Sequence, residues 1–171
     1  MNTYFLQMNS PDELVPAAPM EGLRLRVIDP PDGAVNQRFY REVGRAWDWS
    51  RCLEWTVERW NAYLAANPEV TTVVLDKDGE EIGYVEYINR EGDVEILSFG
   101  LLEDFIGKGL GDASLELAVR YAWTLGAVHH VWLHPCDKDH PNALNNYQRR
   151  GFVLYDTKDD SDGEPETRPS A

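Results

Sequence analysis

Along the chain, apolar residues come in short runs with two different periods. Leu23, Leu25 and Val27 alternate with Arg24 and Arg26, the two-residue period of a strand with one buried face. Residues 4–8 are a compact apolar run, read as an edge strand ahead of a loop marked by Pro11, Pro16 and Pro19. Residues 35–66 switch to helical spacing. They read as two helices broken near Asp48-Trp49-Ser50, with Asp48 or Ser50 capping the second. Strands follow over 71–75, 82–88 and 94–101, separated by polar turns at 76–79 and 89–93, which makes an antiparallel meander. Leu115, Ala118, Val119, Ala122 and Leu125 then form one helical stripe closed by Gly126. The run 128–133 predicts a strand parallel to 94–101 through a right-handed crossover. A helix over 142–150 and a strand over 152–155 end the series. The order is ββααβββαβαβ, an α/β fold with a mixed sheet and helices on both faces.

Length and composition narrow this picture. The 171 residues suit one domain, expected over 1–157, with 158–171 as an acidic, polar tail expected to be disordered. The formal net charge of −14 argues against nucleic acid as a partner and mildly favours a cationic one. No apolar run approaches the ~20 residues of a membrane span. The first residues lack the basic start and apolar core of a secretory signal. Cys52 and Cys136 match neither a redox motif nor a zinc knuckle and are expected as reduced thiols. The expected location is therefore cytoplasmic, without a membrane.

Candidate chemistry begins at Gly107, Gly109 and Gly111, which stand between the strand over 94–101 and the following helix. Glycine lets a backbone turn sharply and come close to a ligand. The helix start adds unpaired amides and the positive end of a dipole, so the stretch suits a phosphate-bearing ligand. The spacing G-x-G-x-G fails the dinucleotide fingerprint, and Gly109 after Gly107-Lys108 fails the P-loop. An antiparallel meander also leads into the loop, where both nucleotide folds need a parallel start.

Here the chain resembles the GCN5-related N-acetyltransferases. Their Gln/Arg-x-x-Gly-x-Gly/Ala signature is matched by residues 106–111, except that Ile106 stands at the first position. Ala143-x-x-x-Tyr147-x-x-x-Gly151-Phe152 resembles the family's second motif, with His140 where Asn is usual. The resemblance covers roughly residues 22–156 in element order and implies the acyl-CoA N-acyltransferase fold. It further implies an acetyl-CoA-dependent N-acetyltransferase acting by direct transfer on a primary amine of a small molecule or peptide. Other readings are a noncatalytic acyl-CoA-binding module and a scaffold-only interaction protein. No metal is expected, and a homodimer is compatible with this reading. The implied cofactor contacts are Phe99, Leu101, Ile106, Gly107, Lys108, Gly109, Leu110, Gly111, Asp112 and Asn142.

Acetyl transfer to an amine needs a base, an acid for the thiolate, and a donor for the oxyanion. The resemblance makes Glu95, fourteen residues before Gly109, the base, with Glu86 and His134 as alternatives, and Tyr147 the acid. A backbone N–H near 99–101 is expected to hold the oxyanion, and the same strand edge to pair with the pantetheine arm. If the 89–93 turn centres on Arg90-Glu91, Glu86 and Glu95 face each other and one pKa should rise. Trp47, Trp49, Arg51, Glu86 and His134 are expected around the acceptor. His140 beside His134 offers a second candidate base pair.

Overall fold

The computed structural model describes residues 1–159 and 167–169. The elements run β1 (Asn2–Met8), β2 (Leu23–Val27), α1 (Gly33–Gly44), α2 (Val57–Ala66), β3 (Val70–Lys77), β4 (Glu80–Arg90), β5 (Asp93–Leu101), α3 (Gly111–Ala122), β6 (His130–Leu133), α4 (Ala143–Arg149) and β7 (Val153–Asp159). The α/β order is the one the periodicity predicts. Seven strands form one mixed sheet in the order β2-β3-β4-β5-β6-β1-β7. β5 and β6 pair in parallel, as the crossover through α3 requires.

β1 is not an edge strand. It lies between β6 and β7, antiparallel to both. Leu6 and Met8 are fully buried, and β7 takes the edge with every residue exposed. The helical break also differs from expectation. α1 starts on Asp32, whose carboxylate accepts from the Ala34 N–H. The chain leaves the α1 side through Asp48 in a left-handed conformation (φ 61°), and α2 is capped by Thr56, which accepts from the Arg59 N–H. Neither Asp48 nor Ser50 caps α2.

The meander turns tightly. Glu91 and Gly92 both have positive φ, and Arg90 pairs with Asp93, so the β4–β5 turn centres one residue later than expected. β4 is buried along most of its length because helices cover both sheet faces. On one face α3 lays Leu115, Ala118, Val119 and Ala122 against Tyr87, Val94 and Ile96, and α4 adds Leu144 and Tyr147. On the other, α1 and α2 bring Tyr40, Trp60, Tyr63 and Leu64 onto Ile88.

Two irregularities shape the site. Tyr87 pairs with Ile96 but Glu86 pairs with Ser98, so Leu97 is the extra residue of a bulge in β5. β6 follows β5 only as far as Glu95↔Trp132. From Ile96 to Leu101 that edge of β5 has no ladder partner on the β6 side among the described residues, and the sheet opens there.

Of the expected tail, Lys158 and Asp159 belong to β7. Residues 160–166 and 170–171 lie outside the described residues. Thr167 and Arg168 are placed against the opening in the sheet.

Candidate active site

The opening between β5 and β6 holds two adjoining clefts. The first, about 370 Å³, is lined by the loop after α1, by Ser98 and Phe99 of β5, and by the segment following β6. The second, about 290 Å³, lies over the glycine loop and the start of α3. Trp47, Trp49, Phe99, Asp139 and Tyr147 line both, so the clefts meet at the β5 edge beneath the Tyr147 ring.

The glycine loop forms one wall of the second cleft. Gly107 (φ 79°) and Gly109 (φ 76°) sit in the left-handed region, where a Cβ is strained. A Cβ built on either, or on Gly111, would meet nothing within 4 Å. The backbone is thus bare toward the cleft, and α3 begins directly behind it at Gly111. These features fit a pyrophosphate held by amides at a helix start. Phe99, Leu101, Ile106 and Asp112 line the same cleft. Leu110 does not: its side chain packs into the core and only its backbone serves the helix start. Lys108 sits over the Phe105 ring, and Asn142 is an exposed residue at the start of α4. Asn146 and Arg149 line the cleft instead, with Arg149 donating to Asn146 (2.7 Å) and to Asp112 (3.3 Å). An A-x-x-x-Y pattern read for its tyrosine passes over such neighbours on the same face of α4.

Tyr147 is half-buried at the junction. Burial and the nearby Asp139 push its phenol pKa well up, so it stays protonated and able to donate. Trp47, Trp49, Arg51 and His134 line the first cleft, whereas Glu86, expected with them, is fully buried against Arg168 and does not line it. Trp49 also packs on Tyr40 and against Gly44, so it serves core and cleft together. His140 is in the second cleft against Trp47, apart from His134, so the two histidines do not form a pair of bases.

The carboxylates differ from expectation. Glu86 faces Ser98 and Glu95 faces Ile88, so the two are not opposite each other. They do share a face, because Glu86 stands two positions along β4 from Ile88. Both are fully buried. Glu95 accepts from Arg90 (3.0 Å), lies 3.1 Å from His134 Nε2, and accepts from the Thr167 hydroxyl. Burial pushes its pKa up, but His134, Thr167 and Arg90 outweigh burial and hold it below the usual carboxylate value. The expected rise is therefore absent at Glu95. Glu86 accepts from Tyr63 (2.8 Å) and Arg168 (3.2 Å), with Asn36 at 3.5 Å.

Away from the clefts, one histidine has structural partners. His130 bridges Asp93 (3.1 Å) and Gln7 (2.9 Å) across the sheet. Among the described residues no group of three or more His, Cys, Asp or Glu could hold a metal ion. Neither Cys52 nor Cys136 forms a disulfide among the described residues. No helix among the described residues is long and apolar enough to cross a membrane.

Residues 34–152 match the model of the acetyltransferase (GNAT) family. The chain is 30% identical over 101 residues to the spermidine N(1)-acetyltransferase of Vibrio cholerae, a match covering 56% of each protein. It is 31% identical over 86 residues to the mycothiol acetyltransferase of Corynebacterium efficiens, covering 49% of this chain and 28% of that one. The matched stretch is thus little more than half the length of the first relative and about a quarter of the second. Among solved structures, a GCN5-related N-acetyltransferase from Sphaerobacter thermophilus superposes with a TM-score of 0.69 at 20% identity, over 91% of this chain and 49% of that one. Another from Kribbella flavida gives 0.65 at 18% identity, over 92% and 56%. At these identities the likeness is one of fold.

Proposed function

The chain belongs to the acetyltransferase (GNAT) family, and on that premise we propose that it transfers an acetyl group from acetyl-CoA to a primary amine of a small molecule or peptide. The observation that carries this is the pair of clefts meeting at Phe99 and Tyr147. One has a bare glycine loop for a phosphate-bearing donor, and the other has aromatic and ionisable walls for an acceptor. Acetyl-CoA, when bound, supplies an acyl group activated as a thioester.

The residues divide the work by position. The amides of Gly107, Gly109 and Gly111 hold the pyrophosphate, and the unpaired β5 edge beyond Ile96 lies alongside the pantetheine arm. A backbone N–H of residues 99–101 stabilises the oxyanion. Glu95 and His134, 3.1 Å apart, take the proton from the acceptor ammonium as a pair. His134 lines the cleft while Glu95 is fully buried, and the Glu95 carboxylate meets the imidazole at Nε2, so both groups converge on one point of the cleft wall. Tyr147, protonated at neutral pH, is the acid toward the departing sulfur.

The acceptor class follows from charge. The cleft opens on a chain of net charge −14, which favours amines that carry further positive charge. Spermidine, named in one relative's activity, belongs to that class. The test is a titration with acetyl-CoA followed by a thiol-release assay over spermidine, monoamines and short peptides. Saturable acetyl-CoA binding with amine-dependent thiol release is expected. Binding without release by any amine would leave a noncatalytic acyl-CoA-binding module, and no binding would remove both readings.

A further inference from the structure

Arg168 lines the first cleft and bonds to residues 70 to 116 positions away in sequence. Its Nη2 donates to Glu86 (3.2 Å) and to the Ser98 hydroxyl (3.3 Å), and its Nη1 donates to Cys52 Sγ (3.2 Å). The guanidinium carbon lies 5.4 Å from the Trp60 ring centre, 5.7 Å from Tyr63 and 5.9 Å from Tyr40. Its side chain is only 8% exposed and Glu86 is fully buried. The walls of this cage come from α1, α2, β4, β5 and the loop before α2, all parts of the folded domain. The occupant comes from the last residues of the chain.

A carboxylate buried without a cation is very costly, so Glu86 in an aromatic cage specifies a positively charged guest. Tyr63 and Asn36 orient the carboxylate from the side away from the cleft. The neighbouring residue adds a second point of contact. The Thr167 hydroxyl lies within hydrogen-bond reach of both Glu95 and His134 Nε2, where a group losing a proton to that pair would sit. Arg90 holds the Thr167 carbonyl (2.6 Å). Two successive tail residues thus place a polar hydrogen at the proton-accepting pair and a cation in the cage.

We propose that the cage around Glu86 is a subsite for an organic cation carried by the acceptor, a guanidinium or an alkylammonium, and that Thr167–Arg168 is the chain's own occupant of it. The proposal rests on the acetyl-transfer reading, which makes the first cleft the acceptor's. Acceptors with two positive centres are favoured because only they fill the cage while presenting an amine to Glu95 and His134. The tail competes with them at high effective concentration, since it is joined to the same chain.

The test uses full-length protein with Arg168→Ala. Butylguanidine, butylammonium and the neutral butylurea are titrated by calorimetry without acetyl-CoA. Removing the internal competitor should tighten butylguanidine or butylammonium by about tenfold or more. The better of the two identifies the preferred cation. Butylurea should bind neither form, and adding Glu86→Gln should abolish the gain. With spermidine as acceptor, Arg168→Ala should lower KM severalfold with kcat little changed. A fixed structural ion pair would instead leave KM unchanged or raise it, and that result overturns the proposal, as does equal cation binding by both forms. Should Arg168→Ala fail to melt cooperatively, Arg168→Lys takes its place. It keeps a charge in the cage but loses the planar fork, so butylguanidine must bind it more tightly than the unsubstituted chain. Acetyl-CoA titration of the same samples keeps the two readings apart. Loss of acetyl-CoA binding would sink acetyl transfer while the cation result stands alone.

Discussion

Burial pulls Glu95 toward the neutral acid, while the hydrogen bonds from His134 and Thr167 and the Arg90 ion pair pull it back further. A carboxylate whose folded pKa is lowered stabilises the fold above its ordinary pKa. That stability is lost as pH falls through the lowered folded value. Glu95→Gln should therefore be less stable than the parent at neutral pH, with the gap closing as pH drops below the ordinary carboxylate value. Denaturant midpoints of both proteins from neutral to strongly acid pH check this; a gap that widens in acid would refute it. Tyr147 makes a cleaner kinetic prediction. Tyr147→Phe keeps the ring on Phe152 but removes the hydroxyl proposed as the proton donor, so turnover should fall on the order of 10²-fold. Acetyl-CoA affinity measured by calorimetry should change little. Both residues were legible in the sequence through motif spacing, but their surroundings were not. Moving the β4–β5 turn by one position, and inserting Leu97 as a bulge, separates Glu86 from Glu95. No periodicity in a polar turn reveals either. Arg168 left no signal at all, because one arginine in a polar tail has no pattern and its partner Glu86 lies 82 residues away.

Elements were most legible where one period persisted. The stripe from Leu115 to Ala122 marked α3, which buries it, and alternation marked β2, although there Leu23 and Leu25 are only half-buried and Val27 is exposed. Boundaries and neighbours were harder to read. β1 looks the same in sequence whether it ends a sheet or lies inside one. Its place between β6 and β7 is decided by long-range pairing, Leu6↔Leu133 on one side and Gln7↔Val153 on the other. The start of α2 was misplaced because several residues in the break are good caps by type. Thr56 has the extended conformation, and its hydroxyl accepts from the Arg59 N–H. Thr56→Ala should thus cost about 1 kcal/mol of stability. Ser50→Ala should stay within about 0.5 kcal/mol of the parent, since Ser50 does not cap α2. Thermal or denaturant unfolding separates the two, and equal losses would place the cap elsewhere.

At the scale of the whole molecule, the two clefts have opposite electrostatic requirements on one acidic protein. On the proposed reading the donor side binds phosphates against a net charge of −14, and it would do so locally, with backbone amides exposed by glycines and the α3 N-terminus. Such short-range contacts are little affected by the distant field. The proposed acceptor side would work with the field, which favours cations at a cleft backed by buried Glu86 and Glu95. Salt should therefore act on the two substrates unequally. The Debye length shrinks from about 10 Å at 0.1 M salt to about 3 Å at 1 M, so steering of a polycation fades over that range. For spermidine, kcat/KM should fall severalfold as salt rises, while that for a monoamine should fall much less. Acetyl-CoA affinity should hold or strengthen, because screening also weakens its repulsion by the acidic surface. Steady-state kinetics with each substrate varied in turn across a salt series checks the contrast. An equal loss for spermidine and the monoamine would mean that the acidic surface plays no part in choosing the acceptor. Recognition would then rest on contacts within the cleft alone.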